Sequence, residues 1–157
     1  MAQLRSLLDH YHDQSPLRDL SLEESQAIFD LLLLTVMIDG EITDEELESV
    51  SEESEKFPFG SAEDFADLVE DQAFRTRAEL EAIIDDDDGI ATFIADRADL
   101  IEGDDKRREA LKMIAVVAYS DGVDSTEEDL VHQIGRYFGF SDEDIEAKLL
   151  AGILGNL

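Results

Sequence analysis

The feature that most constrains this chain is a corner written twice. One apolar stretch ends at Asp39-Gly40 and is followed at once by Thr43-Asp44-Glu45-Glu46. A second apolar stretch ends at Asp121-Gly122 and is followed by Ser125-Thr126-Glu127-Glu128. Gly takes the left-handed conformation that ends a helix, and Asp favours turns. Thr or Ser with Glu three residues on is a capping box: the hydroxyl accepts a backbone N–H of the new helix, and the Glu reaches back to the cap. Each corner therefore predicts one helix stopping and another starting within a few residues.

The flanking segments extend this pattern. Ser21-Leu22-Glu23-Glu24 is a further capping box and opens a helix running to about Ile38. That helix is apolar on nearly every face, so it belongs in the interior. After the first corner, Leu47, Val50 and Phe57 point inward until Phe57-Pro58-Phe59-Gly60 breaks the helix. Ser61 to Asp64 starts another, with Phe65, Leu68 and Val69 inward. Thr76 to Ile101 reads as two short helices separated by Asp85 to Asp88 and Gly89. Asp104 opens the second apolar helix, whose interior is Leu111 to Tyr119. Past the second corner, Leu130, Val131, Ile134 and Phe138 face inward, and Gly139-Phe140 is a break. Ser141 then caps a last helix carrying Ile145, Leu149, Leu150 and Ile153. A first helix is expected from Leu4 to about Tyr11.

No stretch alternates long enough to be a strand. The expected fold class is all-α. Residues 1–157 form one domain, with a first repeat over about 21–74 and a second over about 104–155. The two apolar helices form the centre of a compact bundle.

Charge limits the partners. The 157 residues hold 12 Lys and Arg against 41 Asp and Glu, a net charge of −29. Nucleic acid repels such a chain, because its affinity comes from Lys and Arg neutralising phosphates. Anionic membrane surfaces repel it as well. Cations and basic proteins are left as partners. The same acidity also serves solubility, or adaptation to a salty interior. The chain has no Cys, which excludes disulfides, thiolate zinc sites and a Cys nucleophile. Met1 to Leu8 lack the apolar core of a signal peptide, and Leu31 to Ile38 is far too short to span a membrane. A cytoplasmic location without membrane insertion is expected; the oligomeric state is not legible.

The acidic corners carry the candidate site. On the calcium-loop pattern of an EF-hand, Asp39, Gly40, Ile42 and Glu46 fall on the fifth, sixth, eighth and twelfth positions. Thr35 and Met37 would then be first and third, and Met37 has no oxygen to offer. The second corner puts Val117 and Tyr119 there, so an EF-hand is rejected. A looser arrangement survives. About a pseudo-twofold axis, Asp39, Glu46, Asp121 and Glu128 could converge on a hard cation, calcium or magnesium. Against it, Glu46 and Glu128 are accounted for as capping partners, and Asp39 and Asp121 as turn formers.

Asp85 to Asp88 reads as a solvated loop, and His10, His12 and His132 as surface or packing residues. The nucleophile-elbow, phosphate-loop and His-Glu-x-x-His motifs are absent, so no cofactor is assigned and an enzyme is unsupported. A metal-dependent hydrolase would have to use the same four acids.

The corners also carry a resemblance. Ile38-Asp39-Gly40-Glu41-Ile42 with Glu46 resembles the signature of the TerB-like family, and Ala118-Tyr119-Ser120-Asp121-Gly122 with Glu128 resembles it again. Phe138-Gly139-Phe140-Ser141 looks like that family's usual end of the helix after the corner. The resemblance covers about Ser21 to Leu154, with the middle poorly matched. It implies a bundle of about seven to nine helices, and acidic corners suspected of divalent-metal binding. It also implies tellurite-resistance and stress-response settings, membrane-linked protein complexes or a DnaJ-type co-chaperone, and no enzymatic activity. Only Asp39, Glu46, Asp121 and Glu128 carry over as site residues. Asp124 stands where the first corner has Ile42, which weakens the second corner's apolar anchor. The expected function is a non-enzymatic, acidic interaction module with a basic or membrane-associated protein partner; cation binding or sensing at the corners is the alternative.

Overall fold

The computed structural model describes residues 21–38, 43–56, 65–118 and 125–145. Within them the fold is all-α, and no residue is in a strand. The described helices are α1 (Leu22–Met37), α2 (Asp44–Lys56), α3 (Phe65–Ile83), α4 (Asp87–Ala98), α5 (Asp104–Ala118), α6 (Ser125–Tyr137) and a single turn, α7 (Asp142–Asp144).

The apolar helix α1 is the axis of the bundle. It packs against α3, α4, α5 and α6. Ile28, Phe29, Leu31, Leu33 and Leu34 are fully buried on it, so its apolar residues face neighbours in several directions. The second apolar helix, α5, packs on α1 and α6 and buries Ala110, Leu111, Ile114 and Ala115. The two apolar helices pack against each other as expected, and α1 is the more central of the two. Phe29 of α1 meets Phe65 of α3 edge to face, with ring centroids 6.3 Å apart.

Capping chemistry sets the boundaries. Ser21 Oγ accepts from the Glu24 N–H at 3.2 Å and Glu24 Oε1 accepts from the Ser21 N–H at 3.2 Å, the reciprocal box expected there. Thr43 and Glu46 form the same box at α2, at 3.1 and 3.2 Å. The Ser141 hydroxyl accepts from Asp144 at the start of α7. At the end of α6, Gly139 adopts φ +95°. Its N–H donates to Arg136 O, and the Phe140 N–H donates to Gly135 O, which closes a Schellman motif. A glycine is also needed inside α6. A Cβ on Gly135 would lie 2.6 Å from Ile145 Cδ1 and 3.1 Å from Leu111 Cδ2, so its absence lets α6 sit this close to α5.

Three expectations are corrected. Leu68 was expected inward but is 39% exposed, whereas Phe65 and Val69 on either side of it are buried. The inward stripe of α3 runs through Phe65, Val69, Gln72, Ala73, Thr76 and Leu80. The middle of the chain is not two short helices between Thr76 and Ile101. Thr76 lies well inside α3, a continuous helix of 19 residues, and only α4 is separate. The break is also narrower than Asp85 to Gly89. Asp86 is the cap, its carboxylate accepting the Asp88 N–H, and Asp87 to Gly89 already belong to the first turn of α4. The helix α6 begins at Ser125. The expected helix at 4–11 and the residues Phe57, Leu149, Leu150 and Ile153 lie outside the described residues.

Two polar clasps bind the helices. Arg107 of α5 spreads its guanidinium over three carbonyls: Nε donates to Ile101 O at 2.8 Å, Nη1 to Phe138 O at 3.2 Å and Nη2 to Ala98 O at 3.3 Å. The Ala98 and Phe138 carbonyls lie at the ends of α4 and α6, where a cation is favoured, and Ile101 lies in the link between α4 and α5. The second clasp is Glu24, 7% exposed, which holds Lys106 Nζ at 3.1 and 3.2 Å and accepts the Glu102 N–H at 3.3 Å. Burial opposes its charge, but the hydrogen bonds from the Ser21 backbone, Lys106 and the Glu102 backbone outweigh it and hold the carboxyl below its ordinary value of 4.5.

A depressed carboxylate pKa stabilises the fold above the unfolded-state value. That stability is lost as pH falls through the lowered folded-state value. Urea denaturation of wild type and Glu24→Gln from about pH 7 to about pH 3 should therefore show wild type more stable at neutral pH, with the gap closing below about pH 4.5. A gap constant across that range would refute the charge-based account.

Candidate functional site

The most unusual polar residue of the chain is Asp30. It sits on α1 between Phe29 and Leu31, both fully buried, and is itself only 8% exposed. A carboxylate there must be paired or hydrogen-bonded, because an isolated buried charge is costly. The partners come from two other helices. Asp30 Oδ1 accepts from Gln72 Nε2 at 2.8 Å and from Thr76 Oγ1 at 2.7 Å, both on α3. Asp30 Oδ2 accepts from Arg97 Nε of α4 at 3.1 Å.

The network continues outward. Arg97 Nη2 reaches Glu79 Oε2 at 2.9 Å, and its guanidinium carbon lies 3.9 Å from the centre of the Phe93 ring. The second donor of Gln72 Nε2 goes to the Gln26 carbonyl at 3.0 Å. Both partners of Nε2 are acceptors, which fixes the amide orientation and turns Oε1 the other way.

Above this floor lies a cleft of about 310 Å³ between α1, α3 and α4. Glu23 of α1, Arg75 and Glu79 of α3, and Asp96 and Leu100 of the α4 segment line its upper part. A second cleft, of about 400 Å³, is lined by Glu128, Asp129, His132, Gln133, Arg136 and Asp142. There the hydrogen bonds and charge of Arg136, at 2.8 and 3.1 Å, hold the Asp142 carboxyl below its ordinary range and raise the guanidinium above its own. His132 Nδ1 lies 2.8 Å from the Glu128 carbonyl. His132 is a packed residue here, with 8% exposure.

Of the four residues expected to hold a cation, Asp39 and Asp121 lie outside the described residues. Glu46 is exposed at the start of α2, and its Oε1 accepts the Thr43 N–H as a capping partner. Glu128 is exposed on α6. Among the described residues, no group of three or more His, Asp or Glu is placed to hold a metal ion. The described half of the set therefore does not by itself make a cation site. Asp85 to Asp88 are exposed, as a solvated segment would be, although they form a cap and a first turn instead of a loop.

The Asp30 network was missed in the sequence, yet its signal was there. Asp30 is the only charged residue between Ser25 and Ile38, in a helix otherwise apolar all round. An acid in that setting demands donors on neighbouring helices. What the sequence withheld was which donors.

The model of one protein family, described as tellurite resistance protein TerB, matches residues 25–149. No curated protein and no solved structure matches the chain.

Proposed function

Because the chain belongs to the tellurite resistance protein TerB family, we propose that it is a non-enzymatic, acidic protein-interaction module of a cytoplasmic stress response of the tellurite-resistance type. Its partner is a basic or membrane-associated protein. One observation carries this reading: most of the cations whose side chains are described are engaged within the chain. Arg77, Arg97, Lys106, Lys112 and Arg136 pair with acids, and Arg107 is spent on carbonyls. Exposed carboxylates such as Glu45, Asp67, Glu70, Asp87 and Asp99 form no ion pair among the described residues. They leave a surface field that steers a basic partner toward the chain and weakens as salt screens it. The buried acids Asp30 and Glu24 are committed to structural donors, which fits a role in recognition better than one in proton transfer.

Immobilised protein should retain a basic protein at low ionic strength and release it at high ionic strength. No retention at any ionic strength refutes the reading.

Divalent-cation binding at Asp39, Glu46, Asp121 and Glu128 is the alternative. It is favoured by Glu128, whose carboxylate takes up no cap or cation among the described residues. Titration calorimetry should then give heat with calcium or magnesium that the pair Asp39→Asn and Asp121→Asn abolishes. Absence of heat from wild type at millimolar metal removes this alternative.

A further inference from the structure

Among the described residues, α2 has a thin apolar seam. Leu47 is fully buried and Val50 partly buried, and the described helix that α2 packs on is α3. The two helices carry net charge of the same sign. α2 has seven acids and one lysine, and α3 has five acids and two arginines. A tie runs across them from Arg77 Nη1 to Asp44 Oδ1 at 2.6 Å. The Asp44 side chain is 73% exposed there, so this is a surface pair of small worth. Glu70 lies two turns before Arg77 and Glu81 one turn after it, on the same stripe of α3, and both are exposed.

Distance decides which force salt removes. Packed helix axes lie about 8–10 Å apart. The Debye length is about 30 Å at 0.01 M salt, about 10 Å at 0.1 M and about 3 Å at 1 M. Repulsion between the two helices is therefore felt in full at low salt and largely screened at high salt. The Arg77–Asp44 contact is shorter than any of those lengths and survives better, and the burial of Leu47 does not depend on screening. We propose that α2 is a salt-sensitive strap, docked more firmly on α3 as ionic strength rises and loosened as it falls. The inference goes beyond the interaction role and does not depend on it.

The test is amide hydrogen exchange of the full chain at neutral pH, read by mass spectrometry over α2 at about 0.02 M and about 0.5 M NaCl. Exchange over α2 should be about fivefold slower at the higher salt. Glu70→Gln with Glu81→Gln should slow it at low salt and shrink the salt response, although both residues belong to α3. Asp96→Asn with Asp99→Asn removes the same charge from α4 and its C-cap, and should leave α2 near wild type. Exchange over α2 that ignores salt, or quickens with it, overturns the strap; quickening would show that the Arg77–Asp44 attraction governs. Equal slowing of α2 by the two double variants also overturns it, because net charge alone would then be responsible.

Discussion

Asp30→Ala should lower the unfolding free energy by about 3 kcal/mol, the lower end of what breaking a buried ion pair costs. The lower end applies because the Arg97 side chain keeps 17% of its exposure and can turn toward Glu79 and water. Three donors on α3 and α4 lose their acceptor at once: Gln72 Nε2, Thr76 Oγ1 and Arg97 Nε. Chemical denaturation measures the change directly. Arg97→Met alone should be nearly as damaging, because it strands Asp30. The double variant should be less damaging than the sum of the two, since both single changes remove the same Asp30–Arg97 contact. A loss below about 0.5 kcal/mol for Asp30→Ala, the size of an ordinary surface change, would show that the network stabilises nothing.

The second large effect is expected at Arg107. Truncation to alanine removes hydrogen bonds to three backbone carbonyls, Ala98 and Phe138 at helix ends and Ile101 in the link between α4 and α5. The cost should be about 2 kcal/mol, since hydrogen bonds from a charged donor contribute roughly 1.5–3 kcal/mol and water can replace some of these. Arg107→Lys should restore only part of it. A lysine keeps the charge but cannot fork across three acceptors. Hydrogen exchange should localise the damage to the ends of α4 and α6. Full recovery by lysine would mean that charge near the helix ends, and not the fork, is what matters.

The elements were largely legible because helix boundaries are local chemistry. Ser21 with Glu24, Thr43 with Glu46, and Ser141 with Asp144 each close within one turn, so sequence spacing alone reveals them. The long α3 was not legible. Its second half is polar and charged, and a stretch such as Arg75 to Glu81 reads as a separate short element until its thin inward stripe of Thr76 and Leu80 is seen packed. Leu68 was misassigned for a related reason: its neighbours Phe65 and Val69 fill the inward positions and leave it facing solvent.

The candidate site was less legible than the fold. The carboxylates conspicuous in the sequence are those of the corners. The most constrained carboxylate is conspicuous only by its apolar neighbours. Its partners at 72, 76 and 97 are more than 40 residues away in the chain, beyond any spacing rule. Glu46 shows the converse: a residue that looks like a ligand by pattern is engaged as a cap.

The position of Asp30 also bears on how α1 finds its orientation. A rod covered with leucine and isoleucine on all sides has many nearly equivalent ways to roll about its long axis inside a greasy sheath. One carboxylate removes that degeneracy, because only one roll angle brings it to the amide, the hydroxyl and the guanidinium together. A well-filled leucine at position 30 should therefore leave the protein compact and helical while broadening its side-chain spectra, as interchange among roll angles would.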